Sequence, residues 1–365
     1  MNKPLAINSF AGAIAVPGDD YGGGVFANDS FCSSAMVHRG WWPKKSLRRP
    51  KITKASNDVA LFIGTFDPCW GHCITDNLKF LWVLLDPRYE DIVHKSRLIY
   101  VTSTPRKELP KNFFSLLALL GIFESNIERV LEPTKFKEIL LPDESFYSDE
   151  IGNKRYFTAE YIKTIERIRN AVVPLPVRPF RKIYFTRTGW RKGNPDFGEK
   201  GVEDCFRNIG YEIIHPEAVD VKDMIKALTE CSSFASTDGS IAHNAVFLPK
   251  GVDVVVIRKA NYTNPYQMAI NEMGGFNVNI VNAHRSHLLF SHSAPFCGPF
   301  YLFVSRDLAS FAGCDVCFSL REYVKYVFCW VNFKIRYVCH RFPGWLLRRI
   351  NTIMVFARQG SSGCA

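Results

Sequence analysis

Apolar residues along this chain recur with two alternating periods. Val59–Gly64, Arg97–Thr102 and Phe136–Leu141 are short apolar runs of strand length. Between and after them the spacing switches to three and four. Leu78, Leu81, Trp82 and Leu85 predict a helix over 76–85, and Asn112–Leu120 a second. Tyr161, Ile162, Ile165, Ile168 and Val172 predict a long amphipathic helix over 158–172. Residues 1–57 show neither period and are expected to be irregular. The segment Val173 to Pro179 holds three prolines in six residues, which breaks helix and strand alike and marks a domain boundary. Beyond it the pattern resumes as strand Lys182–Thr186, strand Ser232–Ser236, helix Ile241–Phe247, strand Val252–Ile257, helix Tyr266–Met273 and strand Phe276–Val281. With a strand near Ile213 these make five strands in about a hundred residues, a complete Rossmann-like half. Strands alternating with helices of this length imply βαβ units and parallel sheets, so the fold class is α/β.

Length and charge refine this picture. A chain of 365 residues exceeds what one core usually fills. The expected division is 1–175, 180–290 and a different final part, 291–365. Residues 321–365 hold eight Lys or Arg and one acid, Glu322, with aromatics such as Tyr323, Phe328, Trp330, Phe333 and Trp345 interleaved. Helices of this composition suit an anionic membrane surface, or pack on the body and extend their cations to water. A smaller basic run, Lys44–Lys54, has six cations and no acid. No nucleic-acid module accompanies the charge, so nucleic-acid binding is not expected. The eleven cysteines are odd in number and sit in apolar segments, and Met1–Phe10 lacks a long apolar stretch. Reduced thiols and a cytoplasmic location are the expectation. No run of 18 apolar residues predicts a transmembrane helix.

Three places carry candidate chemistry. Arg187, Arg191 and Lys192 follow a strand at the sheet edge where open α/β folds bind ligands, and suit a diphosphate. Asp238-Gly239-Ser240 precedes an apolar helix whose free N–H groups attract an anion, and Asn244 shares the face of Ser240. His72 and Asp76 are four apart at the start of the first helix, where an imidazole and a carboxylate can remove a proton from an acceptor. Asp76 also reads as a first-turn acid. Cys69, His72 and Cys73 lack the second ligand pair of a usual zinc site, so no metal is expected.

The ordered blocks Tyr21-Gly22-Gly23-Gly24-Val25, Gly71-His72 with Asp76-Asn77-Leu78, Lys182 to Arg187 with Arg191 and Asn194, Gly210 to Glu217, and Thr237 to Gly251 resemble glycosyltransferase family 61, in its bacterial branch associated with capsular polysaccharide synthesis. The resemblance spans about residues 18–285. It implies a GT-B-like fold: two Rossmann-like domains facing across a cleft, the C-terminal one holding the nucleotide-sugar donor, with a helical C-terminal extension. It also implies inverting transfer to a glycan or lipid-linked glycan acceptor, with no cofactor and no obligatory metal. Two departures stand out. Many relatives have His-Gly-Ala where this chain has Asp238-Gly239-Ser240, and the Asn-Glu pair after Arg191 is blurred to Asn194-Pro195-Asp196 with Glu199 further on.

On this reading Arg187, Arg191, Lys192, Gly239, Ser240 and Asn244 bind the diphosphate. Asp238 and Glu217 are donor-side residues of unassigned role. Asp76 is the base, with His72 orienting it or serving in its place. The enzyme is expected on the inner face of the cytoplasmic membrane, held by 321–365. The alternative is a GT-B-like epimerase or a non-catalytic nucleotide-sugar-binding assembly subunit.

Overall fold

A computed structural model describes residues 4–18, 23–40, 49–104, 107–148, 154–174, 177–190, 196–285, 299–333 and 335. The expectations for Tyr21-Gly22, Arg191, Lys192, Asn194 and the chain beyond 335 lie outside the described residues.

The chain opens with β1 (Ile7–Ala11), β2 (Ile14–Val16), β3 (Gly24–Ala27) and β4 (Ser30–Phe31). This corrects the expectation that 1–57 are irregular. The buried triplet Ile14-Ala15-Val16 is too short to display a period, yet it pairs antiparallel with β3. Next come β5 (Lys54–Phe66), β6 (Arg97–Thr102), β7 (Glu128–Arg129) and β8 (Thr134–Pro142). These four run parallel in the order β8-β5-β6-β7. β2, β3 and β4 continue the sheet beyond β8, and β1 also pairs with β8, all antiparallel. The first sheet is therefore mixed rather than fully Rossmann-like.

The helix expected over 76–85 is not continuous. An α turn at Trp70–His72 passes into a π turn at Cys73–Asn77 and a 3-10 turn at Leu81–Leu84. Polar side chains compete locally with the helix. Asn77 Oδ1 accepts from the backbone N–H of Asp67, and Asn77 Nδ2 donates to the Asp67 carbonyl. Thr75 Oγ1 donates back to the Gly71 carbonyl. Leu78, Leu81 and Trp82 are nonetheless buried, so the periodicity located the core face correctly.

A small hairpin, β9 (Phe146–Ser148) and β10 (Arg155–Phe157), leads to the helix Ala159–Val172. Thr158 caps that helix through its hydroxyl. The second sheet is built from β11 (Arg181–Phe185), followed in the chain by β12 (Asp196–Phe197), β13 (Glu212–Ile214), β14 (Cys231–Thr237), β15 (Asp253–Arg258) and β16 (Asn277–Asn282). Its order is β13-β11-β14-β15-β16, all parallel. β12 leaves this sheet to pair with β17 (Phe300–Tyr301). Strand order reverses between β11 and β14.

The two sheets share one apolar core. A single cluster runs from Leu61, Ile74 and Trp82 through Tyr161, Ile165 and Ile168 to Phe234, Phe247 and Ile270. The helix Ala159–Val172 joins the halves through hydrogen bonds as well. The Tyr161 hydroxyl donates to the Ile74 carbonyl at 3.0 Å, and Arg169 Nη1 donates to the Leu248 carbonyl at 3.3 Å.

After the second sheet, a short helix at Arg306–Ala312 precedes a longer one over 320–333. Tyr326 and Trp330 of the latter are buried against Tyr301 and Phe197. No described helix is long and apolar enough to cross a membrane.

A shared core predicts cooperative unfolding. Calorimetry is expected to show one thermal transition, and two resolved transitions would contradict a continuous core.

Candidate active site

The C-terminal ends of β11 and β14 flank the point where strand order reverses, and open α/β sheets bind ligands there. Arg187 lies just past β11. Its backbone N–H donates to Glu199 Oε1 at 3.0 Å, and its guanidinium Nη1 lies 3.7 Å from Asp196 Oδ2. Lys259, the first residue past β15, places Nζ 3.3 Å from the same Asp196 oxygen. Sequence reasoning missed Lys259, although it has the signal that singled out Arg187: a cation at the end of a parallel strand. Burial pushes the Glu199 carboxyl up to about 7, helped by Asp196 and opposed by the Arg187 N–H and by Lys259. Buried polar atoms without a partner among the described residues gather here: Ser236 Oγ, Thr237 Oγ1, Asp196 Oδ1 and Glu199 Oε2.

The DGS turn differs from expectation. The Asp238 carboxylate folds onto its own turn, accepting from Gly239 N at 2.7 Å and Asn264 N at 3.3 Å. Burial pushes its pKa up, with Lys259 opposing. Gly239 has φ +115°, a conformation that L side chains rarely adopt. Ser240 is not a helix cap. The following element is a six-residue 3-10 turn, Ala242–Phe247, with Ile241 at its start. The expected attraction of an anion to a full helix N-terminus is therefore absent. Asn244 is fully buried and committed: its Oδ1 accepts from Trp70 Nε1 at 2.9 Å, and its Nδ2 donates to the Ile241 carbonyl. Glu217 lies with His215 over Gly189, where a Cβ would come 2.7 Å from Glu217 Oε1 and 2.9 Å from His215 Nδ1. That places Glu217 against the loop after β11.

The structure brings the His72 and Asp238 segments, far apart in sequence, into direct contact. A Cβ at Gly71 would lie 2.7 Å from Ser240 Oγ and 3.1 Å from His243 Cδ2, so a larger residue there would make Ser240 or His243 shift. Cys69 Sγ lies 3.5 Å from Ser240 Oγ. With the Trp70–Asn244 hydrogen bond, these contacts hold the two turns together.

Behind this junction runs a chain of ionisable groups. His72 Nδ1 lies 3.0 Å from Asp67 Oδ1, and His72 Nε2 lies 2.9 Å from His38 Nε2. His38 Nδ1 lies 3.4 Å from Asp76 Oδ2. Asp76 Oδ1 also accepts from the His38 backbone N–H at 2.9 Å and lies 3.5 Å from Lys79 Nζ. Lys79 in turn lies 3.5 Å from Glu144, which also pairs with Arg39. His38 and Arg39 are consecutive non-glycine residues with φ of 45° and 50°. Left-handed residues of this kind cost about 1–2 kcal/mol each and concentrate at functional sites. Sequence reasoning missed His38, thirty-four residues before its partner His72, and Asp67, which precedes His72 by five residues and so falls off the helical spacing.

Neither His72 Nδ1 nor His38 Nδ1 makes a hydrogen bond among the described residues, so each faces its carboxylate at ion-pair distance. The two imidazoles sit in opposite environments. Burial disfavours the charge on His72, but Asp67, Asp76 and the Cys69 sulfur outweigh it and raise the pKa to about 9. Burial holds His38 below its usual value despite Asp76, with His72 adding to the effect. Asp76 is held far below the usual carboxylate range: burial works against its charge, but His38, Lys79 and His72 prevail. The side chain of Asp76 is 3% exposed, against 24% for His72.

Donor atoms of Asp67, Cys69 and His72 lie within 4.8 Å of one another. Asp67 is already engaged by Cys69 N and Ser103 Oγ, while Cys73 is buried with its sulfur on the Asp67 carbonyl.

The profile of the Glycosyltransferase 61 family matches residues 70–255, just over half of the chain. The chain belongs to glycosyltransferase family 61. It is a glycosyltransferase, and family 61 membership implies a nucleotide-sugar donor and a glycan acceptor. The matched span contains His72, Asp76, Arg187 and the turn from Asp238 to Asn244, whereas His38, Asp67 and Lys259 fall outside it. Among solved structures, the dodecameric iron-containing heptosyltransferase TibC in complex with ADP-D-beta-D-heptose is 12% identical over 76% of this chain and 74% of its own, with a TM-score of 0.27. That likeness is too low to bear on this fold. A search of curated proteins returned no match.

For this family 61 enzyme the imidazoles predict a pH optimum of stability. The raised His72 contributes stability that is complete below pH 6.5 and is lost as pH rises through about 9. His243, buried with Nδ1 on Gln267 Oε1, is lowered to about 4, so its contribution is complete above 6.5 and lost as pH falls through about 4. Melting temperature should peak near pH 6.5, and His72→Gln should flatten the alkaline slope. A variant with the same alkaline slope would contradict the raised His72.

Proposed function

We propose that the chain is an inverting, metal-independent glycosyltransferase whose donor diphosphate sits at the C-terminal edge of the second sheet. The acceptor hydroxyl meets it at the junction with the His72 turn. The observation that carries this reading is the packing of Cys69, Trp70 and Gly71 on Ser240, His243 and Asn244, which sets an imidazole beside the strand-order reversal. In the GT-B manner the two α/β halves hold acceptor and donor respectively, here over a shared core. Arg187 and Lys259 receive the charge that grows on the leaving nucleoside diphosphate, with Gly239 allowing close backbone approach. Arg191 and Lys192 add to them on sequence grounds.

Displacement with inversion requires removal of the acceptor proton opposite the leaving group. Asp76 already has the His38 N–H, the Thr75 hydroxyl and the nearby Lys79 as partners. Its weak basicity and burial suit the fixing of His38 rather than contact with substrate. His72 is the better proton acceptor. Asp67 orients it at Nδ1, and an acceptor hydroxyl takes the place of His38 at Nε2, in the manner of other carboxylate–imidazole pairs. His72 is surrounded by Asp67, Cys69, His38, Asp76 and His243, and its value of about 9 means that transfer should speed up as pH rises towards 9. The pathway is capsular or extracellular polysaccharide synthesis at the inner face of the cytoplasmic membrane, a reading supported by the bacterial form of the family's motifs in this sequence.

Purified enzyme with a panel of nucleotide sugars should release nucleoside diphosphate faster with acceptor, and should do so in the presence of chelator. Sugar interconversion without acceptor would favour the epimerase alternative, and binding without turnover the assembly subunit. Arg187→Ala and Lys259→Ala should each weaken nucleoside diphosphate binding about tenfold to a hundredfold. His72→Gln should lower kcat about a hundredfold or more while leaving donor binding intact. Asp76→Asn should lower the melting temperature, since breaking a buried ion pair costs about 3–5 kcal/mol. An Asp76→Asn protein of native stability that had lost only transfer would return the base to Asp76.

A further inference from the structure

The helix over 320–333 is apolar on two sides. One side holds Tyr326 and Trp330, buried on Tyr301 and Phe197. The other presents Leu320, Val324, Val327, Phe328, Val331 and Ile335 to solvent, from 36% exposed at Val327 to 71% at Phe328. At about 100° per residue these six fall within an arc of about 100°. They form one stripe rather than scattered surface residues. Arg321 and Lys325, both exposed, lie along one flank of it. The one acid of residues 321–365, Glu322, is on another side and pairs with Lys325. Beyond the described helix the chain continues with Arg336, Arg341, Arg348, Arg349 and Arg358 and no acid.

We infer that this outward stripe is a membrane-docking face, lying flat on an anionic lipid surface with its valines, leucine, isoleucine and phenylalanine among the acyl chains. One observation favours lipid over a second copy of the chain: a helix stripe flanked by cations on one side, in a chain that continues with five arginines and no acid, matches an interfacial helix whose arginines and lysines reach anionic headgroups. The inner side of the helix is anchored on the β12–β17 pair through Tyr301 and Phe197, so docking the stripe fixes the orientation of that pair relative to the surface. This inference does not depend on the assignment of catalytic residues.

The test is sedimentation of the full-length protein with vesicles of phosphatidylcholine alone, or of phosphatidylcholine with about a third phosphatidylglycerol. The protein is expected to pellet with the anionic vesicles, and less so as salt rises. The double variant Val324→Glu, Phe328→Glu alters two exposed side chains and should keep its melting temperature and its donor-dependent turnover, yet bind anionic vesicles about tenfold or more weakly. Removing 336–365 should weaken binding through lost charge while leaving it sensitive to the double variant. Failure of the full chain to bind anionic vesicles would overturn the inference, as would undiminished binding by the double variant. A concentration-dependent dimer in sedimentation velocity, abolished by the double variant in a chain that ignores vesicles, would assign the stripe to a second copy instead.

Discussion

Gly71 stands so close to Ser240 and His243 that a methyl group there would make one of them shift. On this contact the rest of the centre depends. The α turn at Trp70–His72 passes directly into a π turn, which lets Asn77 bind back to Asp67 while Trp70 reaches Asn244. Asp67 then stands at His72, and His72 at His38. A bulkier residue at 71 would move the imidazole away from the donor-side edge and pull Trp70 from a buried amide that has no other donor to Oδ1 among the described residues. The junction resembles a core contact in its tightness, but it is made of polar groups that must all be satisfied together.

Asp238 and Glu199 show how a departure from a family pattern can be absorbed structurally. Asp238 occupies a place where the family resemblance leads one to expect histidine, close to Lys259. Its carboxylate turns into its own loop and binds Gly239 N and Asn264 N, so its charge is spent on the backbone. Glu199, displaced in sequence from the expected Asn-Glu pair, still reaches the end of β11 and holds the Arg187 N–H. Both acids shape the loops that carry the cations rather than contacting the space beyond them.

Much of the second sheet was legible because it is repetitive. Continuous apolar strands such as Val254-Val255-Val256 announce a parallel sheet covered on both faces, and the loops after them carry the polar chemistry. The first half was harder. Short antiparallel strands of three or four residues leave no period to detect, and Leu78, Leu81 and Trp82 have helical spacing in a segment whose side-chain hydrogen bonds divide it into π and 3-10 turns. For the site, local spacing found His72, Asp76 and Arg187 but not His38, whose partnership with His72 is made only by tertiary packing, nor Asp67, which lies five residues before His72 and off the helical spacing. Lys259 had a local signal, and the cation at the end of one strand deserved the same reading as the cation at the end of another. Asp238 could be located from sequence, but its role could not, because it depends on the backbone of Asn264, twenty-six residues on.

Arg187 and Lys259 both lean on Asp196 Oδ2. The site therefore holds its positive charge already neutralised in part by an internal anion. On the proposed assignment, a diphosphate arriving there would exchange with a carboxylate rather than fill an empty field, and its affinity would be the difference between two attractions. Such a resident competitor would limit how tightly the ground state is held and would give the cations a partner to return to when the nucleoside diphosphate departs.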